Sequence, residues 1–184
     1  MNIIKISKVV TKIAEVFHWV GAVLMTAAVI CSLAAPDMVK YFVGVTPIEG
    51  YGVELNIYGF EVLAPIENGT MDMKTFFLFG IGGVIILILM ALVFRNLNKV
   101  MKHAEAGNPF HKENAALLKQ VGFFSLAIPV VGLVMSTVCR LVLGVDNVEA
   151  GVNLYGFCMG IIVLSLTQFF VHGSELEEDV EGLL

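Results

Sequence analysis

Thr75–Phe94 reads TFFLFGIGGVIILILMALVF, twenty consecutive residues with no charge and no strongly polar side chain beyond Thr75 itself. At about 1.5 Å of rise per residue, roughly 20 residues of helix cross a hydrocarbon core about 30 Å thick. Three more runs are long enough: Ile13–Ala35, Gln120–Leu143 with Arg140 near its end, and Val152–His172. Inside hydrocarbon every backbone N–H and C=O must be satisfied within the segment, so each run is predicted as a helix. Composition agrees: 58% of the 184 residues are hydrophobic before the 18 glycines are counted, 15% are charged, and the mean hydropathy is +0.87. Soluble domains hold roughly 45–50% apolar residues with glycine included and about 25% charged ones. A disordered chain is excluded and a soluble globular domain disfavoured. The expected fold class is all-α membrane, one domain over residues 1–184: a four-transmembrane-helix bundle with a small β-containing extracytoplasmic loop between the first two spans.

Lys5, Lys8 and Lys12 give the first run the basic start of a signal peptide. Its apolar stretch exceeds the roughly 7–15 residues of such a peptide, and Pro36 directly follows the small-residue site Ser32–Ala35, so a retained helix is expected. Orientation follows the lysines and arginines of the short flanks. The N-terminal flank and the inner connection (95–119) carry eight, namely Lys5, Lys8, Lys12, Arg95, Lys99, Lys102, Lys112 and Lys119. The outer loop (36–74) carries only Lys40 and Lys74, and the last connection (144–151) none. This predicts a multi-pass protein of a bacterial plasma (inner) membrane with both termini cytoplasmic. The net charge of −5 averages over unlike parts: an acidic outer loop, a basic inner loop and an acidic tail, 173–184. No basic patch with interleaved aromatics points to direct nucleic-acid binding.

The outer loop is too long for a plain connector. Val53–Tyr58 alternates apolar and polar residues as a strand does, and Phe60–Val62 continues the alternation past Gly59, a candidate bend or bulge. Tyr41–Val45 is a second candidate strand and Glu49–Gly52 a candidate turn. Together they predict a hairpin or three-stranded cap over the outer mouth. In the inner loop, the second span is expected to run on as helix through Arg95–Ala106, stop at Gly107 and Pro109, and restart near Lys112. Phe110 is a candidate staple for that restart, and His111 a weak cap.

No nucleophile elbow, zinc-protease helix or phosphate-cradling glycine loop is present. Neither a catalytic residue, a metal nor a cofactor is predicted. Cys31, Cys139 and Cys158 form no CxxC pair. They read as buried thiols, although Cys31 and Cys139 share an outer depth at which they could meet. Arg140, near the outer end of the third span, is a candidate ligand or signal residue; pairing with Asp146, Glu149 or an outer-loop acid is the plainer reading. Lys12, Glu15 and His18 form an interfacial pairing cluster on the first span. His18 and His172 fall at one inner depth, a geometry that also suits bis-histidine haem. Ser136, Thr137, Ser165, Thr167 and Gln168 are candidates for hydrogen bonds between helices, and Gly80, Gly82 and Gly83 for close helix approach. Either a second copy of the chain or lipid suits that glycine-bearing surface.

Gly107-Asn108-Pro109-Phe110, followed by Lys112-Glu113-Asn114, Leu117-Leu118 and Gly122, resembles a loop shared by small bacterial membrane proteins of the domain-of-unknown-function family 2975. The ending Gly173-Ser174-Glu175-Leu176-Glu177-Glu178 is similar to that family's ending, although His111 stands where the family carries Thr or a similar cap. The final Glu181–Leu184 also departs from the family's Asp-Leu-Thr-Ile-like strand. The resemblance implies four spanning helices, no established activity, and a gene context: such proteins are often encoded beside a small Cro/Xre-type helix-turn-helix regulator, whose DNA-facing surface is basic. The expected function is therefore a non-enzymatic membrane sensor or regulator. Its lipid-embedded helices would bias Glu175, Glu177, Glu178 and Asp179, with the loop Gly107, Asn108, Pro109 and Phe110, toward a basic helix-turn-helix partner. The alternative is a small transporter or lipid-binding carrier, which would need a polar path or deep pocket between helices.

Overall fold

The structure, a computed structural model, describes residues 3–42, 53–67, 70–107, 112–144, 150–152 and 155–181. Five helices and five short strands follow in order: α1 (Ile3–Ala34), α2 (Pro36–Phe42), β1 (Val53–Ile57), β2 (Phe60–Ala64), β3 (Ile66–Glu67), β4 (Thr70–Met71), α3 (Met73–Glu105), α4 (Lys112–Leu143), β5 (Ala150–Val152) and α5 (Tyr155–Glu181). α1, α3, α4 and α5 are the four long apolar helices expected, each with a stretch able to cross a membrane. The protein is a multi-pass membrane protein, mostly helical, with a small hairpin between the first two spans.

Burial confirms the solvent for which these helices are built. Along α1 the protected positions Glu15, His18, Ala22, Val29 and Ser32 follow the alternating 4–3 spacing of one helix seam. Three of those five are polar, while Ile13, Phe17, Val23, Leu24 and Leu33 are each more than 60% exposed. In water that distribution would be inverted; in a bilayer the exposed apolar stripe meets lipid. Half of the most apolar stretch of α3 is buried in protein, against 11% for α5.

The chain forms two compact units. The first takes Met1–Trp19, Leu89–Ala127 and Tyr155–Leu184. There α4 and α5 interlock reciprocally: Leu164 lies over Gly122, and Leu126 lies over Gly160. A Cβ on Gly122 would stand 2.5 Å from Leu164, and one on Gly160 would stand 2.6 Å from Leu126. The two pairs run in opposite directions along the chain, as antiparallel helices require.

The second unit takes Val20–Ile88 and Ile128–Leu154. β1 and β2 form an antiparallel hairpin, Val53 opposite Ala64 and Ile57 opposite Phe60. The expected bend at Gly59 is instead the hairpin turn itself. Tyr58 (φ 49°) and Gly59 (φ 84°) both adopt the left-handed region, as a two-residue type I′ turn demands. Asn56 braces it: its Oδ1 accepts from Gly59 N–H (3.4 Å) while its Nδ2 donates to Glu61 (2.6 Å). The third strand is β5, paired with β2. It does not come from Tyr41–Val45, since Tyr41 and Phe42 end α2, which Pro36 opens at the first helical position; residues 43–45 and the candidate turn at 49–52 lie outside the described residues. β5 also takes Val152 out of the expected fourth span, which as helix begins at Tyr155.

Nor does the hairpin simply cap a mouth. Phe60, Val62 and Ala64 are fully buried, Phe60 stacks on Phe79 (5.2 Å), and a Cβ on Gly82 would meet Phe60 at 2.8 Å. Ile57 lies against Gly83. The glycines expected to bring helices together do so at Gly80, which faces Val29 of α1, but Gly82 and Gly83 also admit a β element.

Helix ends follow side-chain and backbone chemistry. Asp72 caps α3: its carboxylate accepts from Thr75 N–H (2.9 Å), Thr75 Oγ1 (2.7 Å) and Lys74 N–H (3.2 Å). Gly107 (φ 88°) and Gly144 (φ 92°) take the left-handed conformation just beyond α3 and α4. The predicted stop at Gly107 and restart at Lys112 are both observed.

Burial raises the Asp72 carboxyl, but the hydrogen bonds from Thr75 and Lys74 and the Lys74 charge outweigh it and hold it below its ordinary 3.8. A carboxyl lowered on folding adds stability that is present above the unfolded value and lost as pH falls through the folded one. Asp72→Ala should therefore cost about 1 kcal/mol at pH 7. In thermal unfolding of the detergent-solubilised protein, the gap to wild type should narrow below about pH 3.8. Gly160→Ala, which sets a Cβ 2.6 Å from the Leu126 side chain and 3.1 Å from its backbone nitrogen, should cost about 1–3 kcal/mol in the same measurement.

Candidate functional site

Polar side chains gather in the first unit, where α1, α3 and α4 meet. Asn98 of α3 donates through Nδ2 to the Lys8 carbonyl (2.7 Å) and to Thr11 Oγ1 (3.1 Å), both on α1. Two residues earlier, hence on another face of the same helix, Asn96 donates to Gln120 Oε1 of α4 (2.9 Å). Lys8 pairs with Glu105 across α1 and α3. His103 Nδ1 lies 2.7 Å from Asn114 Oδ1, joining the end of α3 to the start of α4. Its Nε2 stands 3.9 Å from Glu113, an ion pair when the ring is protonated. Asn96, Asn98 and Asn114 are buried, Asn114 completely. The cluster is a clasp: each amide bridges two helices where the chain passes from apolar span to basic flank.

The Lys12–Glu15 pair expected on α1 is present at 2.9 Å, with Glu15 buried and Lys12 largely exposed. His18 is buried, lies over Phe94 at 5.1 Å, and donates from Nδ1 to the Ala14 carbonyl at 2.6 Å. His172 is exposed on α5, 3.0 Å from Glu175. The structure thus gives the two histidines separate neighbours. Among the described residues no group of three His, Cys, Asp or Glu side chains is arranged to hold a metal.

Of the partner-binding candidates, Gly107 is exposed in the turn just beyond α3, and Glu175 sits exposed on α5. Glu177, Glu178 and Asp179 fall within the same continuous helix. Asn108, Pro109, Phe110 and His111 lie outside the described residues, as do Asp146 and Glu149. Arg140 is exposed in the last turn of α4, where a cation favours the helix dipole, and its carbonyl accepts from Gly144 N–H (3.1 Å).

Two expectations are corrected. Thr137, Ser165 and Thr167 do not bridge helices; each hydroxyl donates to the carbonyl four residues back, on Leu133, Ile161 and Val163. Cys139 is fully buried, whereas Cys31 and Cys158 are exposed, and all three are free thiols. The asparagines that do join helices carried a sequence signal that capping and charge did not use. Asn is a poor interior helix residue, and two within three positions of a helix imply partners outside it.

Asn98→Leu should cost roughly 1 kcal/mol, typical of a helix-bridging hydrogen bond in a membrane protein. His172→Ala, which removes the exposed pair with Glu175, should cost less than about 0.5 kcal/mol. Denaturant titration in mixed micelles would separate them, and equal effects would show that Asn98 does not anchor α1.

No family profile, curated protein or solved structure matches the chain, so its resemblance to family 2975 rests on the quoted motif residues.

Proposed function

We propose that this chain is a non-enzymatic membrane regulator of the family 2975 type, with both termini cytoplasmic, whose acidic C-terminal segment holds a small basic helix-turn-helix protein at the membrane. One observation carries the reading. α5 runs without a break from Tyr155 to Glu181, so Glu175, Glu177, Glu178, Asp179 and Glu181 ride on the same helix as the fourth span. A displacement of that span therefore reaches the acids with no intervening joint. Five acids on about two turns of helix produce a field suited to a basic DNA-binding surface, and such pairing steers association as well as strengthening it.

The clasp supports the same reading. Its buried amides and ion pair tie helix to helix, a structural use that leaves α5 as the helix with least buried apolar surface. A signal works by binding two arrangements of the helices with different affinity. The excess of basic residues in the N-terminal flank and inner loop supports the cytoplasmic placement of both ends.

The test uses the full chain in nanodiscs and a small basic helix-turn-helix regulator of the kind that the resemblance implies, with binding followed by interferometry. The quadruple variant Glu175→Lys, Glu177→Lys, Glu178→Lys and Asp179→Lys should weaken binding by more than about tenfold, and added salt should weaken the wild-type complex. Unchanged affinity after charge reversal removes the acidic segment from the mechanism. A fluorescent protein fused after Leu184 should fluoresce and alkaline phosphatase fused there should be inactive, as a cytoplasmic C-terminus requires.

A further inference from the structure

The C-terminal part of α3 presents four sides, and one of them, among the described residues, meets no acid. At roughly 100° per residue, Asn98 and Glu105 share a side, and both bond to α1. Asn96 and His103 share another, and both bond to α4. Val93 and Val100 share a third, and both are buried. The fourth carries Arg95, Lys99 and Lys102, all exposed. They are spaced four and three residues apart, and their stripe lies about 80° from the α1 side and from the α4 side. All these contacts fall within the first unit.

Two neighbouring cations already have acids: Lys8 pairs with Glu105, and Lys12 with the buried Glu15. Among the described residues no carboxylate lies within ion-pair distance of Arg95, Lys99 or Lys102. Three like charges on two turns of helix repel one another, and an anion shared between them offsets that repulsion. Their position indicates which anion. Arg95 directly follows the uncharged run that ends at Phe94, so it stands where the apolar span ends. Lys99 and Lys102 follow at roughly 6 and 10 Å along the helix axis. The polar headgroup layer beyond the hydrocarbon is roughly 5–8 Å thick on each side of a bilayer. The stripe therefore starts at the hydrocarbon edge and crosses the headgroup layer, and the long stem of Lys102 lets its ammonium reach back into it. Arg95, nearest the hydrocarbon, has the planar fork that grips a phosphate through two parallel N–H bonds. A nucleic acid fits poorly, because residues 95–102 offer no aromatic ring on which a base would stack. An acidic protein segment would have to enter the headgroup layer to reach Arg95.

We propose that Arg95, Lys99 and Lys102 bind the phosphate of anionic phospholipids, so that such a lipid, rather than a zwitterionic one, occupies this side of α3. A basic cluster directly beyond a spanning helix favours anionic headgroups by about fivefold per cation. Bound there, the headgroup sits between the bonds to α1 and those to α4 and screens the three cations from one another, with both sets of bonds intact. The proposal holds for either orientation of the chain and is independent of the reading of the acidic segment.

Native mass spectrometry of the full chain in mild detergent, titrated separately with phosphatidylglycerol and phosphatidylcholine of identical acyl chains, tests it. The wild type should bind phosphatidylglycerol at least about tenfold more tightly. Arg95→Gln, Lys99→Gln and Lys102→Gln together should bring that ratio below about twofold. Lys99→Gln alone should lower it about threefold, so the outcome does not hang on the folding of the triple variant. Lys5→Gln, Lys74→Gln and Lys119→Gln together remove the same charge from exposed lysines elsewhere and should leave the ratio nearly unchanged. Equal losses in the two triple variants overturn the stripe and leave a general attraction to the protein's cations. A wild-type ratio near one overturns lipid binding. If that ratio then rises when Glu175→Gln, Glu177→Gln, Glu178→Gln and Asp179→Gln are introduced together, the occupant is an acidic protein segment instead of lipid.

Discussion

A backbone amide inside a bilayer has no water to turn to, and every feature of this chain answers that constraint. The helices answer it directly, since their interior N–H and C=O groups pair within the segment, except where Pro129 of α4 lacks an N–H to give. Their lengths overshoot: α1, α3 and α4 have 32, 33 and 32 residues, whereas a span needs roughly 20. The excess lies beyond the apolar stretch, and in α3 it carries Asn96, Asn98, His103 and Glu105, the residues that meet α1 and α4. The hairpin answers the constraint less directly. β2 is paired on both sides, by β1 and β5, so the strand that carries Phe60, Val62 and Ala64 leaves its ladder groups satisfied while its side chains fill the space over Gly82 and Phe79.

Without a hydrophobic difference between lipid and leucine, helices in a membrane associate through close packing and through polar groups that prefer one another to hydrocarbon. The two units of this chain use these means in different proportions. In the second, packing dominates: aromatic stacking on α3, glycines that admit a β element, and a small apolar cluster of Val39, Ala64, Met71 and Phe76. In the first, directional bonds from three asparagines and one ion pair join α1, α3 and α4, while α4 and α5 meet through the reciprocal Gly–Leu contacts.

The spans were legible because their signal is a property of each run alone. Twenty apolar residues without charge mean a spanning helix whatever they touch, and Gly107 and Lys112 mark a stop and a start by local chemistry. What was illegible depended on partners distant in the chain. Val53–Val62 alternates as one strand would, and Tyr58-Gly59 lacks the Asn-Gly or Asp-Gly pair that usually announces a type I′ turn. The third strand arrived from residues about ninety positions later. The hydroxyls misled for the opposite reason: a local acceptor four residues back was always within reach, and Thr137, Ser165 and Thr167 took it. At the candidate site, the charge pattern marked the basic ends of the helices, but the clasp depended on which face of α3 each asparagine occupied relative to two other helices.

The uneven burial of the four spans bears on which of them is able to move. α3 is fixed on several sides, with half of its apolar stretch inside protein and polar bonds from its C-terminal part to both α1 and α4. Shifting it would break several contacts at once. α5 has only 11% of its apolar stretch buried, and its described hydroxyl bonds fold back onto its own backbone. Its docking on α4 rests on leucines set into glycine notches, contacts of dispersion rather than direction, which change little in energy when a helix slides by a fraction of a turn. Low local stability is the property from which moving elements are drawn. Among the described residues, the helix that ends in the acidic segment is thus the span with the least of its apolar stretch buried, and the helix that carries the asparagine clasp is the frame against which it would move.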